Sequence, residues 1–239
     1  MAFSYGSAAK VYAGGYNLTT FLSSAGIPLA ADTGEVSAFG STAKAYIAGL
    51  KDGTFSAEGY YDGSASAVDV VVSGALGVAD TVFCYLPAGD AVGAYGYGFL
   101  GIDTAYEVQT PVDGVAAVSM EAQASGGGER ILSFHALGAE AASGTGTSMD
   151  NAAASSNGGS AYLQVTASSV LTSLDVIIQG STTGAWAGEE TTLASFTQIT
   201  ATPGKERITF SGTVKRYLRA KWTLVGTSAT FFVGVNRAA

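Results

Sequence analysis

Cysteine, histidine, proline and charge are all scarce in this sequence, and each scarcity narrows what the chain does. Its 239 residues include one Cys, one His and four Pro, with 13% charged side chains. The lone Cys84 forms no internal bridge, which excludes a disulfide scaffold. It sits in the apolar run Thr81-Val-Phe-Cys-Tyr-Leu86, where a thiol behaves as a small buried hydrophobe. A single histidine, His135, leaves nothing for a relay. No G-x-S-x-G occurs, and no His, Cys or carboxylate cluster has metal-ligand spacing. The expectation is a protein that is not an enzyme and needs no cofactor or metal. One catalytic arrangement stays open to spacing, the carboxylate pair of a glycosidase, since any two acids of a β protein can meet in space. No apolar run approaches the eighteen or so residues of a membrane span, and MAFSYGSAAKVYAGG lacks the charged-then-apolar order of a signal peptide. A soluble, unexported chain without membrane insertion is expected.

What charge there is lies unevenly. Up to His135 there are thirteen acids against Lys10, Lys44, Lys51 and Arg130, a balance of −9; beyond it six acids meet seven bases, a balance of +1. Length allows two domains of ordinary size. From Ala136 to Ser160 the composition turns to Ala, Gly, Ser, Thr and Asn, as a boundary does. The chain is therefore read as residues 1–136 and 137–239.

In the first half, Gly53 to Tyr61 alternates, with Phe55, Ala57 and Gly59 on one face and Thr54, Ser56 and Glu58 on the other, the period of a half-buried strand. Phe39 to Leu50, just before it, reads as a long loop, and Ala2 to Val11 as an arm or first strand. Val68, Val71, Val72, Ala75 and Leu76 follow at helical spacing, with Ser64 as a candidate N-cap and Gly74 or Gly77 near the end. Valine is a modest helix former, so Val68, Val71, Val72 and Leu76 are expected to pack on a sheet.

Thr81 to Leu86 reads as a strand closed by Pro87-Ala-Gly-Asp90. Gly96-Tyr-Gly-Phe-Leu-Gly101 matches the dinucleotide-binding string, but Ile102 to Val108 continues as β where that motif opens a helix. Strand glycines marking bulges or close backbone approach explain it better. Val115 to Ala124 alternates, with Ala116, Val118, Met120 and Ala122 opposite Ala117, Ser119, Glu121 and Gln123. Gly126-Gly-Gly128 reads as a hairpin turn leading into Arg130 to Phe134.

The second half reads as short strands at Tyr162–Thr166, Leu174–Gln179, Ser195–Thr200, Arg207–Phe210, Val214–Leu224 and Thr230–Val235, a β-sandwich pattern. In Val214 to Leu224, Lys215, Tyr217, Arg219 and Lys221 share one face. That basic stripe is a candidate surface for nucleic acid or an acidic glycan, or else a solvated sheet face with its bases opposite acids on the next strand.

Several of these stretches carry a resemblance. E-V-S-A-F-G, A-G-L-K-D-G-T-F-S-A-E-G-Y-Y-D-G, L-P-A-G-D-A-V-G-A and the A-Y-E-V to E-A-Q-A-S-G-G-G run, in that order over about Tyr16 to Phe134, resemble the tail tube (major tail) proteins of long-tailed bacteriophages. S-T-T-G-A-W-A and V-K-R-Y-L-R-A-K-W resemble the jelly-roll or immunoglobulin-like modules appended to such proteins. The fold implied is mainly β: an N-terminal tail-tube sandwich or barrel with one amphipathic helix, plus a C-terminal all-β sandwich. The function implied is that of a structural virion protein. Hexameric rings stack into a tube, made in the host cytoplasm, through which double-stranded DNA passes. Its partners are then further copies of itself and other tail proteins (tape measure, terminator, baseplate). With Phe55, Ala57, Val118 and Met120 buried, Ser56, Glu58, Ser119, Glu121 and Gln123 are left to line the lumen, where carboxylates keep a polyanion from sticking. The competing reading is a surface carbohydrate-binding, adhesin-like β-sandwich protein, expected to be a monomer with an aromatic-lined site.

Overall fold

A computed structural model describes residues 5–40 and 42–238. Among the described residues, fourteen strands, one α-helix and one 3-10 turn (Gly6–Ala8) follow in order. The first strands are β1 (Lys10–Ala13), β2 (Tyr16–Asn17), β3 (Leu22–Gly26), β4 (Leu29–Glu35) and β5 (Tyr46–Tyr60). After the helix α1 (Val68–Ala75) come β6 (Thr81–Leu86), β7 (Tyr95–Gln109), β8 (Ala117–Glu140), β9 (Gly144–Thr145) and β10 (Met149–Asp150). The chain ends with β11 (Gly159–Ser181), β12 (Thr191–Ser195), β13 (Gly204–Phe210) and β14 (Tyr217–Arg237). The fold is mainly β, as the alternating segments imply. Ala2 to Ser4 of the expected arm lie outside the described residues.

Packing divides the chain into two compact units. One takes Met1–Thr20, Val82–Gly98 and Glu129–Ala239; the other takes Phe21–Thr81 and Phe99–Gly128. The division expected after residue 136 falls inside β8, whose residues from Glu129 onward belong with the C-terminal strands.

In the first unit the strand order is β12-β11-β14-β8-β7-β6-β1-β2. β11 and β14 are single long strands where the sequence suggested several short ones, paired antiparallel from Gly159↔Arg237 to Ser181↔Tyr217. Both halves of each strand feed one core. On β11 the core positions are Ala161, Leu163 and Val165, then Leu174, Val176 and Ile178; on β14 they are Leu218, Ala220 and Trp222, then Ala229, Phe231 and Val233. The parity therefore flips midway on both strands. Bulges at Val165/Ala167 and Leu171/Ser173, with positive φ at Val170 and Gly226, occupy the changeover. Extra residues bend a strand and redirect its side chains, so two bent strands build what four straight ones were expected to build. Beside this core Glu129 gathers three donors. Its Oε2 accepts the hydroxyls of Ser160 and Tyr162, and its Oε1 sits 2.5 Å from Arg207 Nη2, while Arg207 Nε donates to the Tyr162 hydroxyl at 2.9 Å. Burial, and then the charge of Glu129, hold the Tyr162 phenol protonated well beyond its usual range.

In the second unit β5 is the central strand. Its C-terminal half pairs with β3 on one side and β8 on the other, and its N-terminal half pairs with β4 alone. Phe55, Ala57, Val118, Met120 and Ala122 are buried, and Phe55 and Phe99 lie 6.0 Å apart between ring centres. α1 starts after an N-cap at Ala67 that has no side-chain cap, so Ser64 does not cap it; its carbonyl accepts the Ala67 N–H at 3.0 Å. Val68 and Val72 are buried, Val71 is half-buried, and Leu76, expected to pack on the sheet, lies just past the helix end and is 50% exposed. Leu76 instead bridges to Asp103, while Asp69 of the first helical turn accepts the Tyr106 hydroxyl at 3.0 Å. Gly126-Gly-Gly128 makes no turn: it runs inside β8, with φ of +80° and +79° at Gly126 and Gly127.

Candidate functional site

The site is built on β5. From Gly53 to Tyr60 its side chains alternate between buried and open, because one face lies on the core of its unit. On the open face the register with β8 sets Thr54 opposite Gln123, Ser56 opposite Glu121 and Glu58 opposite Ser119. Ser56, Glu58 and Glu121 are exposed and Ser119 and Gln123 half-buried, so the five residues picked from the two alternations meet on one polar face. Thr104 of β7 borders it, its hydroxyl donating to the Glu121 carbonyl at 3.3 Å. Two carboxylates and no base mark this face, a field that repels polyanions.

Sequence reasoning missed the other part of the site. Phe39 to Leu50 was expected to be a loop, yet Tyr46 onward is strand, and β4 and β5 form a hairpin from Leu29↔Gly53 to Glu35↔Tyr46. Lys44 Nζ reaches Glu35 Oε2 at 2.8 Å near its turn. Every residue of β4 and every residue of β5 up to Asp52 is exposed. Leu29, Tyr46, Ile47 and Leu50 are among them, and Phe39 in the connection between the two strands is exposed as well. Tyr46, Ile47 and Leu50 within the supposed loop were the signal available in the sequence. A two-stranded hairpin is marginal in water by itself.

Of the basic stripe, Arg219 is engaged locally. Leu218, Ala220 and Trp222 are buried, leaving Tyr217, Arg219 and Lys221 half-buried on the outer face. Lys215 lies ahead of the strand. Arg219 donates to Gln179 at 3.0 Å, and its guanidinium lies 4.0 Å from the centre of the Trp186 ring. Arg216 holds Asp150 through two 2.7 Å bonds, which lower that carboxyl to about 2.

The two remaining candidates for chemistry are both buried. His135 is buried, its ring stacked on Phe231 at 4.3 Å and its Nε2 3.2 Å from Glu140 Oε1. Cys84 is buried too, and burial pushes its thiol up to about 12. Among the described residues no group of His, Cys, Asp and Glu is placed to hold a metal, and no helix is long and apolar enough to cross a membrane.

No protein-family model matches the chain, and no curated protein matches it. Among solved structures, it is similar to a chain in the virion of a native gene transfer agent particle (12% identity, 54% of this chain and 98% of the other, TM-score 0.43). It is also similar to a chain in the tail of an empty gene transfer agent particle with C6 symmetry (13% identity, 53% and 97%, TM-score 0.41). A third likeness is to the Dit protein of phage SPP1, described as a hub of the adsorption apparatus (10% identity, 97% and 99%, TM-score 0.38).

Proposed function

We propose that this chain is a structural subunit of a phage-type tail, a major tail protein whose copies form hexameric rings that stack into a tube for DNA. The observation that carries the reading is the β4–β5 hairpin. Its residues meet solvent on both faces, yet it bears Leu29, Phe39, Tyr46, Ile47 and Leu50. Apolar side chains on an unsupported hairpin cost stability unless another surface covers them, and exposed apolar patches of this kind mark protein interfaces. Further copies of the chain supply that covering surface. The acidic face of β5 and β8 then lines the conduit, and tape measure, terminator and baseplate proteins meet the ends of the tube.

Sedimentation and negative-stain imaging of the purified protein test this. Rings or tubes are expected at raised concentration, and Phe39→Ser with Ile47→Ser and Leu50→Ser, all on open surface, is expected to leave a folded monomer. A wild type that stays monomeric at every concentration, or a triple variant that assembles equally well, overturns the proposal.

A further inference from the structure

We infer that Gln123 is a positioning residue, stapling β5 at the point where it leaves the sheet and so setting the direction of the β4–β5 hairpin. The inference rests on the reading of that hairpin as the assembly arm. Thr54↔Gln123 is the last rung of the β5–β8 ladder; one residue earlier on β5 begins the segment whose partner is β4 alone. At that rung the Gln123 amide nitrogen donates to Asp52 Oδ1 at 2.5 Å and to the Gly53 carbonyl at 3.1 Å, and its oxygen accepts the Thr54 hydroxyl at 3.1 Å. The orientation of the amide is fixed by its neighbours, because a carboxylate and a carbonyl only accept. Asp52 Oδ1 also accepts the Gly53 N–H at 2.8 Å. One side chain of β8 thus clamps three consecutive residues of β5.

Beyond Gln123, β8 passes close to the hairpin base on glycine. A Cβ at Gly127 would stand 3.2 Å from Lys51 Cβ, and one at Gly128 would stand 2.7 Å from Leu29 Cδ2. Both glycines let the backbones approach but supply no polar contact, which leaves Gln123 as the side chain that ties the two strands there. Gln123, expected on the lumen wall, gives its hydrogen-bonding groups to its own chain.

Gln123→Glu converts the donor into a carboxylate facing a carboxylate and a carbonyl. Adding Asp52→Asn supplies a donor from the other side and restores the net charge. The readout is amide hydrogen exchange of Tyr46 to Asp52 in dilute, unassembled protein, with sedimentation as a second measurement. Q123E is expected to speed exchange in that segment roughly tenfold, the ratio set by the loss of about one hydrogen bond. Amides at Met120 and Ala122 should exchange as before, and D52N/Q123E should recover most of the protection. Unchanged exchange in Q123E, or no recovery in the double variant, overturns the positioning role. Faster exchange with unchanged assembly keeps the staple and overturns the hairpin as assembly arm.

Discussion

Glu58 and Glu121 stand diagonally across the β5–β8 ladder, each directly opposite a serine, Ser119 and Ser56 respectively. Diagonal neighbours of this kind lie about 7–8 Å apart, close enough to act as one patch.

Reversing that patch tests the conduit. Glu58→Lys with Glu121→Lys leaves the buried face of both strands untouched, so folding should persist. Duplex DNA carries a negative charge about every 1.7 Å, and lysines on phosphates release counterions. The double variant should acquire salt-sensitive affinity for DNA in a gel-shift assay, strongest at low ionic strength, and in assembled tubes should slow DNA ejection. Screening confines each charge to about 8 Å at physiological salt, so the effect needs a narrow lumen. An ejection rate equal to wild type in tubes of normal shape places these residues away from the DNA path.

The helix makes a separate prediction. Val72 is buried and Val70, on the opposite side, is 49% exposed. Val72→Asp strands a charge among apolar groups and should cost several kcal/mol, enough to unfold a marginal unit, whereas Val70→Asp should stay within about 0.5 kcal/mol of wild type. Denaturant melts followed by circular dichroism compare the two, and equal midpoints would remove α1 from the packing account.

Which parts of this architecture were legible follows from where burial is one-sided. Phe55, Ala57 and Gly59 alternate with Ser56 and Glu58 because one face of β5 is covered, and that stretch was readable residue by residue. Tyr46 to Asp52 continue the same strand with neither face covered, so no alternation marks them. β11 and β14 failed for a different reason. Their core positions change parity at Val170 and Gly226, which breaks each long alternation into two that look like separate strands. Gly126-Gly-Gly128 was misread because left-handed φ serves a bulge and a hairpin turn alike. The Glu129, Tyr162 and Arg207 cluster joins residues far apart in sequence, and no local pattern signals it.

Cys84 supplies a test of the first unit's integrity. Its thiol is buried and raised to about 12, chiefly by desolvation, with the Gln164 amide pulling slightly the other way. Thiolate is the reactive form, so at pH 8 the folded protein should resist maleimide or dithionitrobenzoate. Labelling should appear only with unfolding, at a rate that tracks the denaturation curve. Rapid stoichiometric labelling under native conditions would mean that β6 opens independently of the rest.

The composition break after residue 136 suggests that a fragment ending there would fold, and the packing says otherwise. Leu132 to Glu140 of β8 pair with Ala229 to Val235 of β14, and Phe134 sits in the core built by β11 and β14. Tyr12 of β1 packs its ring 5.1 Å from Phe232. Gln164 of β11 accepts the Gly15 N–H at 2.7 Å and donates to the Val82 carbonyl at 2.8 Å. Cutting at 136 therefore strips partners from β1, β6 and β8 together. Burying one large apolar side chain is worth about 1.5–3 kcal/mol, and a domain's whole stability is about 5–15 kcal/mol. Uncovering Tyr12, Phe134 and their neighbours, with two buried amide bonds lost as well, consumes most of that margin. Residues 1–136 should accordingly show collapsed amide dispersion in NMR and no cooperative melt, while the full chain melts cooperatively. A fragment that melts sharply and forms rings would restore the boundary at 136 and refute the division of the chain into these two units.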